Sequence, residues 1–390
     1  LESDDTEVCA AALRKIGVEI SIDGTTWTVE GVGGRSWQPA PNTVELFVGN
    51  SGTTIRFLVA ALAALGGHYY LHGVPRMHQR PIGDLVASLR ELGVDVRAES
   101  PGDCPPVRVS SEGIRGGEAA IAGDVSSQFL SGLLMAAPLA KSDVRLTVSG
   151  GLVSESYVLM TQRMMERFGA RCNALDGRQI EISAPSEYRA IDLVIEPDAS
   201  AASYFWAVPA IAGGRVLVEG LHRSAWQGDV KFVDCLAEMG CEVLESSTGI
   251  EVVGPAKHGI DVDMHDISDT AQTLAAVALT VRGTTTIRGI GHNRFKETDR
   301  IADLACELRK LGGRVEELDD GLRIDPPATI RPATVQTYHD HRMAMSLSLV
   351  GLKHGGIRIL DPSCTSKTYP AFFADLERLI GRAHHWGTLP

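Results

Sequence analysis

The 390 residues are 44% hydrophobic and 22% charged, a length that fits two compact domains better than one and a composition that excludes a disordered tail. The 41 glycines have no period and the prolines number only 18, which excludes collagen-like and proline-rich linker architectures. With 37 Lys and Arg against 49 Asp and Glu, the net charge of -12 leaves no global positive field for nucleic acid, and no apolar run reaches the roughly 18–20 residues of a membrane span.

Two helix patterns alternate along the chain. It opens on an amphipathic segment, "ALRKIGVEI", and then turns to a polar cluster running into an apolar helix, "GNSGTTIRFLVAALAALGG". The pair recurs as "SLRELGVDV" and "GDVSSQFLSGLLMAAPLA", "MMERFGARC" and "PDASAASYFWAVPAIAGG", "CLAEMGCEV" and "SDTAQTLAAVALTV", "ELRKLGGRV" and "YHDHRMAMSLSLVGLKHGG", before a last amphipathic "DLERLIGRA". Each amphipathic helix stops at a glycine. These are Gly17, Gly93, Gly169, Gly240, Gly312 and Gly381, at spacings of 76, 76, 71, 72 and 69 residues. The regularity marks a repeated helix–strand–helix–strand unit, and short strands such as Arg145 to Val148, Arg215 to Glu219 and Thr284 to Arg288 follow the helices.

A helix apolar on every side is a buried one. The repeats therefore predict a two-lobed, inside-out α/β barrel in which parallel apolar helices form the core and sheets and amphipathic helices surround them. Residues 1–195 make an N-terminal lobe of three units, the first one truncated, and residues 196–390 a C-terminal lobe of three. Six amphipathic helices stand against five apolar ones, so the first unit is expected to lack its first half, roughly 45 residues. The polar clusters fall at helix N-termini, where unsatisfied N–H groups and the dipole favour anions. Several such ends converging between the lobes would trap phosphate and carboxylate.

The candidate residues follow from those clusters. Asn50, Ser51, Gly52 and Thr53 at a helix start, with Arg56 one turn in, form an anion cradle or an ordinary cap. The loop Pro75 to Pro81 carries Arg76 and Arg80, surface arginines unless a cleft turns their planar forks on carboxylate or phosphate. Ser126, Ser127, Gln128 and Ser154 are caps or neutral donors. In Arg294 to Arg300 charges of both signs alternate, either as a salt-bridged first helical turn or as a carboxylate for proton transfer beside substrate-binding cations. Tyr338 to Arg342 leads ionisable groups straight into an apolar helix. The His339-x-His341 spacing has no second cluster with ligand spacing, so no metal is expected. The seven cysteines are scattered and never in a C-x-x-C pair, which argues against a disulfide framework or zinc knuckle and makes the reducing cytoplasm the expected compartment.

Taken in order, Gly49 to Thr53, Pro75-Arg76-Met77, Ser126-Ser127-Gln128, "R-x-K-E-T-D-R" from Arg294 to Arg300, "D-H-R-M-A-M" from Asp340 and Ser366-Lys367-Thr368 resemble the EPSP synthase family of enolpyruvyl transferases across nearly the whole chain. The resemblance implies a transferase of the shikimate pathway of aromatic amino acid biosynthesis. It would move the carboxyvinyl group of phosphoenolpyruvate to the 5-hydroxyl of shikimate 3-phosphate. It implies no metal and no organic cofactor, glyphosate as an inhibitor, and no nucleic-acid or membrane partner. A monomer is expected, since the convergent site lies within one chain. By that resemblance Ser126, Ser127, Gln128, Ser154, Tyr157, Asp269 and Lys296 hold shikimate 3-phosphate. Asn50, Gly52, Arg76, Gln128, Arg300, Arg342 and Lys367 hold phosphoenolpyruvate. Asp269, Glu297 and His341 are the catalytic set, with Glu297 exchanging the proton at the methylene carbon.

Three departures accompany the resemblance. The family's first apolar helix opens on a Pro-Gly-Ser-Lys-Ser type segment whose Lys contacts both substrates, and no such segment occurs here, in agreement with five helices against six. That keeps a second reading, a non-catalytic anion-binding remnant. His292 stands where the family's Asn is expected, and Phe57 where some relatives carry Pro. The sister enzyme UDP-N-acetylglucosamine enolpyruvyltransferase would need a reactive Cys in the Arg76 to Pro81 loop, which has none.

Overall fold

In the computed structural model the described residues are 2–31, 37–176 and 178–382. Contacts divide the chain into two compact units, one from Asp5 to Val194 and one from Ile195 onward that also takes the residues up to Asp4. Each has its own apolar core. We call them the N-terminal and C-terminal units.

The repeat in the sequence is a repeat in topology. In the N-terminal unit Val44–Phe47 pairs in parallel with Gly67–His72, which pairs antiparallel with Cys104–Ser111, and that strand pairs antiparallel with Asp95–Ser100. The same order returns in Gly117–Ala122, Val144–Ser149, Gln179–Ile182 and Cys172–Asp176. In the C-terminal unit it returns again in Asp261–Asp263, Thr285–Arg288, Gly321–Asp325 and Arg314–Leu318. A parallel pair needs a crossover, and in each repeat that crossover is an apolar helix. An amphipathic helix then leads to the hairpin. The amphipathic helices end where expected, with Gly17, Gly93, Gly169, Gly240 and Gly312 all at φ between 86° and 103°, a region that side chains with a Cβ disfavour.

The apolar helices are Gly52–Leu65 and Ser127–Ala136 in the N-terminal unit, and Ala199–Ala212, Ala271–Ala278 and His341–Ser348 in the C-terminal unit. In the first of these Ile55, Leu58, Val59, Leu62 and Ala63 are all buried, at roughly 1.5–3 kcal/mol for each large side chain removed from water. Helix Ser127–Ala136 lies directly on it: a Cβ at Gly132 would stand 3.2 Å from the Arg56 carbonyl oxygen. The Gln128 amide meets Thr53 and Gly132 meets Arg56 and Ala60, so the two helices run in the same direction.

The C-terminal unit ties its three helices together with hydroxyls. Ser203 Oγ lies 3.2 Å from Thr273 Oγ1, which lies 3.3 Å from Ser346 Oγ, all fully buried. Each hydroxyl gives its neighbour a partner where no water reaches, and the chain of contacts runs through one level of the core. Ser131 occupies the matching place in the N-terminal unit, bonded to Thr161 on the amphipathic helix Glu155–Arg167. The four positions are 72, 70 and 73 residues apart.

Candidate functional site

In the C-terminal unit, the starts of two core helices and the loop before a third helix bring charged groups together. Asp340 caps His341–Ser348, accepting from the Arg342 N–H at 2.8 Å. The turn before it puts Tyr338 and His339 at φ of 54° and 56°, and the Asp340 N–H closes it on the Thr337 carbonyl. Left-handed backbone at two non-glycine residues costs about 1–3 kcal/mol each, so surrounding contacts must hold it. His341 then enters the core while His339, 88% exposed at its side chain, bonds Asp361. The two histidines therefore do not share a site.

The Arg294 to Arg300 string divides its labour. Arg294 pairs with Asp299 at 3.1 Å, and Asp299 Oδ1 accepts from the Ile301 and Ala302 N–H groups at the start of helix Ala302–Lys310. That half is the salt-bridged first turn. The other half faces inward. Arg300 is 2% exposed and donates to Asp340 Oδ2 at 2.7 Å, to Glu297 Oε2 at 2.7 Å and to Asp269 Oδ1 at 3.3 Å. Asp269 also accepts from Arg342 Nη2 at 2.9 Å and has Lys296 Nζ at 4.0 Å, and Lys367 Nζ reaches Glu297 Oε1 at 3.3 Å. The unit thus gathers all of its predicted residues, Asp269, Lys296, Glu297, Arg300, His341, Arg342 and Lys367, with Asp340 added.

Burial pushes the Asp269 carboxyl up, but Arg342, Lys296 and Arg300 outweigh it and hold it well below the usual range. Arg300 gains from Asp340, Glu297 and Asp269 more than burial takes away. His341 is held far below its ordinary value by burial and by Lys367, against the opposing pull of Glu297, so it is neutral, and its Nδ1 has no hydrogen-bond partner among the described residues. His292 is pushed down to about 3 by burial and Lys296, and bonds Ser268 Oγ at 2.8 Å. Asn293 meanwhile donates to the Ser268 carbonyl at 2.9 Å, so the segment before Lys296 grips the turn that carries Asp269.

The N-terminal unit has different chemistry. Ser51 caps Gly52–Leu65 and Ser126 caps Ser127–Ala136 through their hydroxyls, so capping and candidate binding coincide. Arg56 is buried and donates to Gln128 Oε1 at 2.7 Å and Ser126 Oγ at 3.3 Å, with its guanidinium 5.0 Å from the Phe129 ring centroid. Gln128 in turn donates to Thr53 at 2.9 Å. Ser127 is buried in the same helix start. Ser154 sits at φ 51°, ahead of helix Glu155–Arg167, and its carbonyl accepts from the Tyr157 N–H.

One arginine differs from the expectation. Arg76 bonds its neighbour Gln79, whereas Arg80 is buried and donates to the Asn50 carbonyl at 2.8 Å, its guanidinium so close to Gly52 that a Cβ there would lie 2.6 Å from Nη2. It is Arg80 that stands beside Asn50 and Gly52. Nothing in the sequence separates two arginines four positions apart in one loop. Arg80 and Asp340, both unassigned from sequence, become part of the candidate site through burial and partners.

Comparison with known proteins shows the family. The family profile described as EPSP synthase (3-phosphoshikimate 1-carboxyvinyltransferase) matches residues 1–376. A 3-phosphoshikimate 1-carboxyvinyltransferase of Thiobacillus denitrificans is 48% identical over 380 residues, 96% of this chain and 88% of the relative. That of Shewanella denitrificans is 46% identical over 386 residues, 98% of this chain and 90% of the relative. Among solved structures, the EPSP synthase of Acinetobacter baumannii superimposes with a TM-score of 0.78 at 25% identity, covering 97% of this chain and 88% of that one. No helix among the described residues is long and apolar enough to cross a membrane. With its repeated units, its buried helices and its two charged helix-start clusters, the chain belongs to the EPSP synthase (3-phosphoshikimate 1-carboxyvinyltransferase) family.

Proposed function

We propose that this chain transfers the enolpyruvyl group of phosphoenolpyruvate to the 5-hydroxyl of shikimate 3-phosphate, releasing phosphate, in the synthesis of aromatic amino acids. The observation that carries the reading is the buried network of Asp269, Glu297 and Asp340 around Arg300, with Arg342, Lys296 and Lys367 at its edge. It offers carboxylates for proton transfer within reach of cations that can take phosphate and carboxylate.

In this reading Glu297 takes a proton from solvent before the lobe is filled; the 5-hydroxyl oxygen then adds to C2 of phosphoenolpyruvate, Asp269 accepts the hydroxyl proton, which later leaves with phosphate, and Glu297 delivers its proton to C3. The product is a tetrahedral ketal. Glu297 then removes a proton from C3, the double bond re-forms and phosphate departs with the electron pair of its C–O bond, stabilised by Arg300, Arg342 and Lys367. An incoming anion that engages Arg342 takes away the cation that most strongly holds the Asp269 carboxyl down. Substrate binding itself would thereby make Asp269 a better base. His341, neutral beside Glu297, can donate or accept a hydrogen bond without adding charge.

Ser126, Ser127, Ser154, Tyr157 and Lys296 are assigned to shikimate 3-phosphate and Gln128 to both substrates. Asn50, Gly52, Arg300, Arg342 and Lys367 are assigned to phosphoenolpyruvate, with Arg80 beside Arg76 as the loop arginine. The same reading gives a cytoplasmic monomer with no metal or organic cofactor, inhibited by glyphosate.

Phosphate release from phosphoenolpyruvate tests it, with and without shikimate 3-phosphate, on this chain and on one extended at its start by a Pro-Gly-Ser-Lys-Ser segment. Release that depends on shikimate 3-phosphate is the expected result. Binding of shikimate 3-phosphate without turnover by either chain would leave the anion-binding remnant in its place.

A further inference from the structure

Helix Ala302–Lys310 is the amphipathic, outward member of its repeat, yet one acidic side chain on it is fully buried. Glu307 accepts from Tyr338 OH at 2.7 Å with Oε1 and from the Gln336 N–H at 3.1 Å with Oε2, and Lys310 Nζ bridges both oxygens at 2.7 and 2.8 Å. A buried carboxylate is tolerated only when its lone pairs are met by donors, and here they are. Two of those donors come from the segment just ahead of Asp340.

That segment is the left-handed turn. Tyr338 and His339, both at positive φ, fill the central places of a turn of the type I′ kind, where glycine, asparagine and aspartate are usual. A tyrosine there needs an external hold. Glu307 grips the turn from one side, through Tyr338 OH and the Gln336 N–H. From the other side Asp361 Oδ2 meets His339 Nδ1 at 2.8 Å. Immediately after the turn, Asp340 holds Arg300 with both oxygens and the Arg342 N–H with one.

The geometry points to Glu307 as a positioning residue. By fixing the Tyr338–His339 turn it sets the direction of Asp340, and through Asp340 the placement of Arg300 and Arg342. It touches no reacting atom. The inference rests on the proposed function for the consequence in turnover, since there the two arginines take the anionic groups of phosphoenolpyruvate.

The test is a pair of backgrounds. Glu307→Gln keeps the size of the side chain but replaces one of its two acceptor oxygens with an amide N–H among its three donors and removes the charge that holds Lys310. It should raise KM for phosphoenolpyruvate about tenfold, as sub-ångström to one-ångström misplacement of binding groups does, with KM for shikimate 3-phosphate within about twofold. Tyr338→Phe, which deletes only the hydroxyl, should act in the same direction. In a background carrying both Tyr338→Gly and His339→Gly, where positive φ is free of strain at the two central places, Glu307→Gln should change KM by less than about twofold, because the turn no longer needs the hold.

Amide hydrogen exchange gives a readout independent of turnover. In Glu307→Gln the Asp340 and Arg342 amides should exchange about tenfold faster while the rest of helix His341–Ser348 is unchanged. If the unaltered chain shows no turnover, the proposed function falls and the exchange result still decides the role of Glu307. Uniformly faster exchange through the unit, or the same cost in both backgrounds, would make Glu307 a purely structural residue and overturn the inference.

Discussion

The two units are built from one repeat and diverge in what their helix starts carry. In the C-terminal unit three core helices pack around a hydroxyl chain, and the polar ends hold four cations interleaved with three carboxylates, with Arg300, Glu297 and Asp340 buried. In the N-terminal unit, among the described residues, two apolar helices present serines and a glutamine, with Arg56 donating to Gln128 and Ser126 and Arg80 to the Asn50 backbone carbonyl and, at 3.4 Å, its side-chain oxygen. Repetition of a fold therefore does not repeat its chemistry. Mixed charge in one unit suits proton transfer beside anion-binding cations, and the hydroxyls and amide at the helix starts of the other suit neutral hydrogen bonding.

The largest effect expected from this contrast is on rate. Glu297→Gln keeps the shape of the side chain but cannot accept a proton, and should lower kcat for phosphate release by about 10²–10⁴-fold with an unchanged circular dichroism spectrum. A comparable loss from Ser126→Ala would erase the distinction between the units. Next comes stability. Arg300→Met leaves Asp340 and Glu297 without their shared cation and should cost about 3–5 kcal/mol in urea unfolding of the C-terminal unit. Arg80→Met, which removes hydrogen bonds to the Asn50 oxygens, should cost the N-terminal unit about 1–2 kcal/mol and appear mainly as weaker binding of phosphoenolpyruvate. Equal costs would mean that both clusters are structural.

Gly52→Ala gives a finer test. The new methyl meets the Arg80 guanidinium at 2.6 Å and must displace it, so KM for phosphoenolpyruvate should rise about tenfold with little change in melting temperature. If KM is unaffected, Arg80 is not a ligand group.

The last effect is one of acidity, spread over two pH units. His292 and His341 are held below their unfolded value in the folded chain, so between their folded and unfolded values the unfolded state binds more protons. The stability they confer is complete above about pH 6.5 and is lost as pH falls toward the folded values, at up to about 1.4 kcal/mol per pH unit for each histidine. Hydrogen-exchange protection in residues 195–382, taken relative to the intrinsic rate at each pH, should fall between pH 7 and 5, and His292→Asn should remove part of that dependence. Earlier loosening of residues 5–194 would contradict it.

Most of the architecture was legible because it is periodic. Glycines after each amphipathic helix and apolar runs after each polar cluster repeat every seventy-odd residues, and both signals are local: helix stop, burial of an all-apolar face, cap. The strings that carry Glu297, Arg300 and Arg342 stood out as charged clusters at helix starts, but their roles came only from the family resemblance, and Asp340 was not assigned one. Less legible were choices that depend on contacts across the repeat. Arg76 and Arg80 share a loop and a residue type, and only the packing against Gly52 separates them. In the Arg294 to Arg300 string one half makes the salt-bridged first turn and the other faces Glu297 and Arg300 inward.

Local physics thus specified the helices, their burial and the clustering of polar residues at their starts, since propensity, periodicity and capping act within a few residues. Which of those polar residues meet, and with what charge state, came from the fold. The lowered carboxyl of Asp269 needs Arg342, Lys296 and Arg300, brought together from 27 to 73 positions away along the chain. The left-handed turn at Tyr338 and His339 needs Glu307 and Asp361. Electrostatics and strain are set by neighbours in space, and this chain places its decisive neighbours from about twenty positions to a whole repeat away.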